Sequence, residues 1–311
     1  MDDYLRIVPL GGLGEVGKNM MSIEYGGDIL IVDVGMMFPT TGMLGIDYIL
    51  PDWSYLRDKK DQVRAAIITH GHMDHIGALS HFLEEFNVPL YATRLTRGLI
   101  EVQLQQRNML KNTTLHTMSP RDEFEIGPFT IEPYHVCHSI PDTVGLGIDT
   151  PEGLIVHSGD FKFDHTPVDG WPTDYAKLAE FTGRGVLVLL SDSTNADTPG
   201  RTSSEAALYD AFHQIMREAP GRLIVATFAS LISRVQQIVD VAAEHNRKVA
   251  VAGRSMVNNT AMARELGYLD IPNEMMVELH EVDRLPPDEV VIMATGAQGE
   301  PMAVLNRLAT G

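Results

Sequence analysis

The sequence predicts an α/β protein of two domains, on the basis of three observations. Up to about residue 200, short apolar runs separated by turn residues indicate β-hairpins. From residue 201, helical and strand patterns alternate, as they do in a parallel sheet covered by helices. Histidine and aspartate side chains crowd residues 69–79, between a predicted strand and a predicted helix. We therefore expect a β-rich domain over residues 1–200 and an α/β domain over residues 201–311.

Three hairpins are predicted in the first domain, each from two β-rich runs around a turn. The turns are Gly26-Gly27, Gly127-Pro128 and Pro151-Glu152-Gly153. Between the first two hairpins, apolar residues recur every three or four positions and predict one helix, with a face formed by Ile76, Leu79, Leu83 and Phe86. The histidine cluster directly precedes this helix, so it lies on a strand-to-helix turn.

The second domain is predicted from a helix cap followed by alternating elements. Ser203 or Ser204 can cap a helix whose apolar face carries Leu208, Phe212, Ile215 and Met216. The elements that follow are the strand 222–228, the helix 233–245, the strand 248–253, a helix near 258–266 and the strand 289–296. Residues 195–203 are polar and contain Gly and Pro, so the domain boundary is expected there.

Composition narrows the classes of function. No apolar run reaches the roughly 18 residues of a membrane helix, and the acidic amino terminus lacks a leader pattern, so we expect a cytoplasmic protein without a membrane partner. The single cysteine, Cys137, excludes an internal disulfide framework and agrees with a reducing compartment. The net charge of -18 argues against a broad basic surface for nucleic acid, although it is compatible with a local basic channel.

The order His70, His72, Asp74, His75 predicts a metal site. Residues two apart at the end of an extended strand point the same way, so His70 and His72 can bind one cation. Asp74 and His75, across the turn, can face a second cation. Imidazoles with few carboxylates favour Zn(II), and Mn(II) also suits a site of mixed nitrogen and oxygen ligands.

Three further residues follow predicted strands and extend this site. They are His138, Asp160 and Asp192. Taken singly, each is equally well explained as a loop histidine or a turn aspartate. In this order after the cluster, they indicate additional groups of a metal centre.

Together these motifs resemble the metallo-β-lactamase fold superfamily, in its β-CASP nuclease branch, and most closely the ribonuclease J family. The histidine cluster alone is typical of the superfamily, whereas the later motifs narrow the resemblance to this group. In chain order the motifs occupy residues 10–19, 31–39, 69–79, 138–142, 158–164, 191–195, 200–205, 226–237, 253–256 and 295–301. The resemblance therefore spans nearly the whole chain.

The resemblance implies a metallo-β-lactamase αββα sandwich with an inserted, truncated β-CASP parallel α/β domain. It also implies two Zn(II) ions per subunit, with Mn(II) or Mg(II) as alternatives. The ligands implied for the first ion are His70, His72 and His138, and those for the second are Asp74 and His75. Asp160 is implied as a bridge between the two ions. Asp33 would orient the histidine loop without binding metal, and Asp192 would lie near the second ion.

The implied activity is metal-dependent hydrolysis of RNA, by a 5'-to-3' exonuclease and endonuclease of RNA maturation and decay. Asp74, Asp160 and Asp192 would be the catalytic carboxylates, and the first two would orient the attacking hydroxide. The inserted domain would close over the site and form a cleft for single-stranded RNA that carries a 5'-monophosphate. Loops that offer backbone amides and hydroxyls can bind phosphate, and the candidates are Ser230, Arg254, Ser255 and Gln298. A homo-oligomer and partners in an RNA-degradation complex are expected for the full-length enzyme.

Two histidine motifs of the family, expected beyond residue 311, do not occur in the sequence, so the chain resembles the amino-terminal part of the enzyme. This leaves two alternatives to an active ribonuclease. One is another hydrolase of the same fold, acting on a β-lactam, a lactone or a thioester. The other is a catalytically incomplete fragment that binds metal or RNA.

Overall fold

The computed structural model describes residues 4–40, 42–297 and 304–310, and they form two compact units. The first unit contains residues up to His138, together with Asp142–Phe163 and Pro172–Thr202. The second contains Ser139–Pro141, Asp164–Trp171 and the residues from Ser203 onward. Helices and strands occur in both units, so the predicted α/β class is confirmed.

The first unit begins with a mixed sheet of six strands that neighbour one another in chain order. The strands are β1 (Arg6–Gly11), β2 (Met20–Tyr25), β3 (Asp28–Val32), β4 (Val63–Ile67), β5 (Leu90–Ala92) and β6 (Leu115–Thr117). The pairs β1–β2 and β2–β3 are antiparallel, and the remaining pairs are parallel. Parallel strands need crossover connections, and helices α1 (Met73–Ile76), α2 (Leu79–Glu85) and α3 (Arg94–Gln106) lie in those between β4, β5 and β6.

A second sheet of five strands completes the sandwich of this unit. The strands are β7 (Phe124–Ile126), β8 (Phe129–His135), β9 (Val144–Thr150), β10 (Gly153–His157) and β11 (Val186–Leu190). Their order is β11-β10-β9-β8-β7, with only the β10–β11 pair parallel. The three hairpins predicted from the sequence are confirmed, because β2–β3, β7–β8 and β9–β10 are antiparallel pairs joined at the predicted turns.

The core of the first unit lies between these two sheets. Leu30 and Val32 of β3 pack in one buried cluster with Ile131 of β8 and Ile155 of β10. Ile31, on the opposite face of β3, is also fully buried. Both faces of this strand are therefore covered, which explains why its sequence is continuously apolar instead of alternating.

Helix α4 (Tyr175–Arg184) packs on the second sheet through Phe181, which is 1% exposed. A Cβ atom at Gly147 would lie 2.4 Å from Cζ of Phe181, so only glycine lets the ring approach β9 this closely. The resulting order of two facing sheets with helices is the sandwich expected from the sequence.

The second unit contains a parallel sheet of three strands with helices between them. The strands are β12 (Leu223–Ala226), β13 (Lys248–Ala252) and β14 (Val290–Ala294), in the order β12-β14-β13. The helices are α5 (Leu208–Glu218), α6 (Ile232–Glu244), α7 (Arg254–Glu265) and α8 (Val304–Thr310). The predicted alternation of helices and strands is confirmed, and Ser204 accepts a hydrogen bond from the amide of Ala206 ahead of α5.

Two predicted helices differ from the observed ones. The single helix expected after the histidine cluster is divided at Gly77-Ala78, because the amide of Ala78 donates to the carbonyl of Val34 (3.0 Å) and leaves the helical ladder. The helix expected near residue 258 begins earlier, at Arg254. None of the helices in the described part of the chain is long and apolar enough to cross a membrane.

An ion network holds α4 to the second sheet and provides a test of the packing. The carboxylate of Glu132 on β8 is nearly buried and accepts hydrogen bonds from Lys177 Nζ (2.6 Å) and Arg184 Nη1 (2.5 Å). Burial raises the pKa of Glu132, but these two cations lower it more, so the net pKa is below its ordinary value. Lys177 also lies 5.0 Å from the ring of Phe181.

We expect Glu132→Gln to lower the free energy of unfolding by about 1–3 kcal/mol, because two cations lose a buried charged partner. Urea unfolding at neutral pH measures this change. Because the folded-state pKa of Glu132 is depressed, its contribution is present above the unfolded-state pKa of about 4.3 and is lost as the pH falls further. The control is Glu180→Gln, since Glu180 contacts the same two cations but has a side chain that is 51% exposed. Equal unfolding midpoints for the two variants would contradict this account.

Candidate metal centre

The candidate centre is built from residues that follow strand ends of both sheets in the first unit. His70, His138 and Asp160 each lie three residues beyond a strand, after β4, β8 and β10 respectively. His72 has extended backbone (φ -74°, ψ 152°) and immediately precedes α1, which carries Asp74 and His75. The sequence thus places these side chains just beyond the ends of neighbouring strands, where they can converge.

Three imidazole nitrogens converge at one point of the centre. Nδ1 of His72 lies 3.1 Å from Nε2 of His70 and 3.1 Å from Nε2 of His138. Two nitrogens that bind one tetrahedral zinc ion at about 2.0–2.1 Å are roughly 3.3 Å apart. The three nitrogens therefore have the spacing of ligands to a single ion.

A carboxylate oxygen lies between this group and His75. Oδ2 of Asp160 is 3.9 Å from His70 Nε2, 3.8 Å from His138 Nε2 and 3.4 Å from His75 Nε2. His70, His75 and Asp160 form a second group whose ligand atoms lie within 4.8 Å of one another. Oδ2 of Asp74 is 3.6 Å from Nε2 of His75. The geometry brings together all six predicted ligands. Asp160 belongs to the second group, and its Oδ2 also lies within 3.9 Å of two nitrogens of the first.

The electrostatic environment of His70 and His72 is opposite to that of His75. Burial and the neighbouring histidines lower the pKa of His70 well below its ordinary value, and burial with His138 beside it lowers the pKa of His72 to about 3. Burial also lowers the pKa of His75, but the carboxylates of Asp33 and Asp160 raise it more, so the net pKa is well above its ordinary value. The pKa of Asp160 is strongly lowered, because His75 outweighs the effect of burial. At neutral pH, His70 and His72 are therefore neutral and keep lone pairs for a cation.

The chemistry of the donor set decides whether the cluster fits a metal ion. Three imidazoles, of which those of His70 and His72 are neutral, and one carboxylate beside them form a donor set that suits a borderline-soft divalent ion. The residues present therefore fit a metal ion.

Asp33 orients two of the histidines from outside the cluster. It is 2% exposed, accepts hydrogen bonds from the amide (2.8 Å) and hydroxyl (2.9 Å) of Thr69, and lies 2.8 Å from Nδ1 of His75. The Thr69 hydroxyl is also 3.1 Å from Nδ1 of His70. With Nδ1 occupied in this way, His70 and His75 both direct Nε2 into the centre. This arrangement supports the orienting role that the resemblance implies for Asp33.

Asn19 also fixes the metal loop, although the sequence did not single it out. Its Nδ2 lies 3.2 Å from the carbonyl oxygen of Asp74, 3.4 Å from Asp74 Oδ2 and 3.1 Å from His75 Nε2. Its amide donates to the same carbonyl of Asp74 (3.0 Å), and its own carbonyl accepts from the amide of Gly35 (2.9 Å). A Cβ atom at Gly35 would lie 1.5 Å from the carbonyl oxygen of Asp74, so glycine is required there. The contacts of Asn19 with Asp74 and His75 span more than 50 positions, and no local pattern in the sequence reveals them.

The remaining predicted residues lie outside the two ligand groups. Asp192 follows β11, and its Oδ1 accepts from the amide of Thr194 (2.7 Å) while its own amide donates to Ser158 Oγ (2.9 Å). In the second unit, Ser230 precedes α6, and Arg254 and Ser255 begin α7.

The loop that carries Ser230 is tied to α7, because Nδ2 of Asn259 donates to the carbonyl of Ala229 (3.1 Å). Ser230, Arg254 and Ser255 thus share the edge at which β12 and β13 end. Gln298 lies outside the described residues.

Two family models match the chain. The β-lactamase superfamily domain matches residues 39–174. The ribonuclease J β-CASP domain matches residues 220–311.

Characterised proteins similar to the chain are named ribonuclease J. The chain is 46% identical over 309 residues to ribonuclease J of Synechocystis sp., an alignment that covers 99% of this chain and 48% of that protein. It is 43% identical over 314 residues to ribonuclease J of Thermus thermophilus, with 99% and 55% covered. It is 41% identical over 307 residues to ribonuclease J2 of Bacillus subtilis, again with 99% and 55% covered. The chain spans about half the length of these relatives.

A solved structure has the same fold. The crystal structure of a protein of unknown function from Enterococcus faecalis V583 matches with a TM-score of 0.69, at 16% identity, over 95% of this chain and 78% of that chain. At this identity the match supports the fold alone. With the family models and the relatives, it confirms the sandwich with a β-CASP domain and the resemblance that the sequence motifs indicated.

We expect Asn19→Ala to weaken metal binding about 10- to 100-fold, because the loss of groups that position metal ligands typically has this effect. The chain is first freed of metal with a chelator. Calorimetric titration with Zn(II) then measures its affinity for the ion. The matched control is Asn112→Ala, since Asn112 is exposed in a short 3-10 turn of the same unit. Wild-type affinity in Asn19→Ala would show that the metal loop does not depend on this side chain.

Proposed function

We propose, from the premise that the chain carries a β-lactamase superfamily domain and the β-CASP domain of ribonuclease J, that it is part of a metal-dependent ribonuclease. The observation that carries this proposal is the convergence of His70, His72 and His138 around one point, with Asp160 beside it. The activity, the substrate and the partners of the complete enzyme are part of the proposal, because the relatives are about twice as long as the chain.

In this proposal the centre holds two Zn(II) ions, with Mn(II) or Mg(II) as alternatives. His70, His72 and His138 would hold the first, Asp74 and His75 would hold the second, and Asp160 would be a ligand in both sets. Bound divalent cations lower the pKa of water and neutralise the charge that develops on a phosphate. The nitrogen-rich first group favours zinc over the harder cations.

The carboxylates have separate tasks in hydrolysis. Asp160 has a lowered pKa and stays ionised at neutral pH, so it cannot serve as a proton donor. It acts with Asp74 to accept hydrogen bonds from the attacking water and to direct its lone pair toward phosphorus. Asp192, which follows the neighbouring strand end, is proposed as the third catalytic carboxylate. Asp33 holds His75 in one orientation during turnover.

The proposed substrate is single-stranded RNA with a 5'-monophosphate, cleaved as an exonuclease from the 5' end and also internally. Backbone amides at the start of a helix bind phosphate, which makes Ser230, Arg254 and Ser255 candidates for that contact. Gln298 remains a prediction. So do the domain boundary at residue 200, the cytoplasmic location, the homo-oligomer and the partners in RNA degradation.

Cleavage of a 5'-monophosphorylated RNA oligonucleotide is expected to require bound metal. EDTA should abolish it, and Zn(II) or Mn(II) should restore it, because a bound divalent cation lowers the pKa of the attacking water. The metal content, measured by inductively coupled plasma mass spectrometry, should be two ions per chain. Hydrolysis of nitrocefin or a lactone without RNA cleavage would overturn the proposal. If only a version extended to the length of the relatives cleaves RNA, this chain is a catalytically incomplete fragment.

His72→Ala should lower the metal content and reduce cleavage by at least about 100-fold, because a lost ligand costs at least as much as a lost positioning group. The control is His116→Ala, since His116 on β6 is exposed, stacks on Tyr91 and belongs to neither ligand group. Mass spectrometry and the cleavage assay are run on both variants. Unchanged metal content in His72→Ala would refute the ligand assignment.

A further inference from the structure

Phe163, three residues after Asp160, forms an exposed aromatic pair with Tyr175 at the start of α4. Phe163 is 59% exposed and Tyr175 is 41% exposed. Their ring centroids are 5.8 Å apart, with an angle of 33° between the planes. Phe161 lies behind Phe163, with centroids 5.2 Å apart and an angle of 60°. Phe163 thus contacts both other rings, and Phe163 and Tyr175 present much of their surface to solvent.

Backbone hydrogen bonds fix this aromatic pair beside the strand end that carries His138. The amide of Lys162 donates to the carbonyl of Cys137 (2.8 Å), and the amide of Asp174 donates to the carbonyl of His135 (2.9 Å). Residues 160–163 and 173–175 therefore flank the segment 135–138 from which His138 enters the metal centre. Phe163 is thus three residues from Asp160, and the residue before Tyr175 is bonded to the segment that leads to His138.

The base of the pair is rigid. Phe161 packs against a buried cluster that contains Tyr134, Val136 and Phe181. The ring of Phe163 rests on Phe161 instead of entering this cluster, so the cluster does not need Phe163 to be filled. A preorganised aromatic surface loses little conformational entropy when a flat ligand binds to it.

The charge of the chain limits how an RNA can be bound. With a net charge of -18, the chain as a whole repels phosphates. Affinity for RNA then depends on local contacts, and a contact that needs no positive charge is favourable anywhere on this surface. Stacking of a base on an aromatic ring is such a contact, and it accepts any base because each has a π-face.

We propose that Phe163 and Tyr175 form a platform on which a base of single-stranded RNA stacks beside the metal centre. The platform rests on the proposed function and assigns it a binding subsite for the nucleobase. Its occupant is a base and not an apolar protein segment, because the two rings face solvent next to the centre at which the phosphodiester bond is cleaved.

The test measures the affinity of a single-stranded 2'-O-methyl phosphorothioate RNA 12-mer for the metal-loaded chain, so that the centre keeps its ions and cleavage does not interfere. Phe163→Ala should weaken binding about 10-fold, as expected for the loss of one stacked base. Phe163→Leu should weaken it equally, because it keeps apolar surface but loses the ring. Phe163→Trp should retain binding. A 2-aminopurine base in the RNA should lose fluorescence on binding to the wild type and to Phe163→Trp only.

The matched control is Tyr4→Ala, which removes another exposed ring, 55% accessible and outside the metal centre. It should leave the affinity unchanged. An RNA with abasic sites along its length should bind the wild type and Phe163→Ala equally, because it keeps the phosphates but has nothing to stack.

The platform would be refuted by equal affinities of Phe163→Ala and the wild type, by undetectable binding to the wild type, or by full binding of Phe163→Leu. Full binding of Phe163→Leu would show that the RNA contacts the rings as ordinary apolar surface and does not stack on them. These outcomes are separate from those of the cleavage assay. If the chain cleaves RNA but its affinity for RNA does not depend on Phe163, only the platform is refuted. If binding depends on the ring but no extended version of the chain cleaves RNA, the proposed ribonuclease function is refuted.

Discussion

The metal centre depends on the buried carboxylate of Asp33. This residue adopts a left-handed backbone conformation (φ 60°), which is strained for a side chain other than glycine. Its amide donates to the carbonyl of Ile67 (2.9 Å) at the end of β4, and its carboxylate contacts Thr69 and His75. One residue thus joins the ends of β3 and β4 to the first turn of α1. The strain is sustained because each of these bonds is buried and none has water as a substitute.

The carboxylate of Asp33 also determines the charge of the centre. Asp33 and Asp160 lie on opposite sides of the His75 ring, at 2.8 Å from Nδ1 and 3.4 Å from Nε2, and they raise its pKa. In the chain without metal, a proton on His75 therefore balances two carboxylates in a poorly solvated site. In the proposed function a divalent cation would replace that proton, with His75 and Asp160 among the residues that would hold it, so metal binding and proton release would be coupled. His70 and His72 need no such exchange, because burial already keeps them neutral.

The sequence predicted those parts of the structure that local patterns encode. Alternating apolar residues around glycine turns are sufficient for the hairpins, and the spacing of His70 and His72 is sufficient for a shared direction on an extended backbone. The division between α1 and α2 was missed, because the cause is the carbonyl of Val34, more than 40 positions before Ala78. The role of Asp142 was missed for the same reason, since its Oδ2 accepts the amide of Leu95 at the start of α3 (2.9 Å). Long-range hydrogen bonds leave no periodic signal.

The acidic character of the chain and its proposed RNA substrate are compatible only if binding and catalysis are local. Many of the acidic side chains are already neutralised by partners within the protein, as Glu132 is by Lys177 and Arg184. At the centre, bound cations would reverse the sign of the field that Asp74 and Asp160 create. A phosphate would then be attracted over a few ångströms, while ionic strength screens the repulsion from acidic side chains more than about 8–10 Å away. Such a field favours a flexible single strand, whose scissile phosphate can approach alone, over a duplex that brings a dense array of phosphates to an acidic surface.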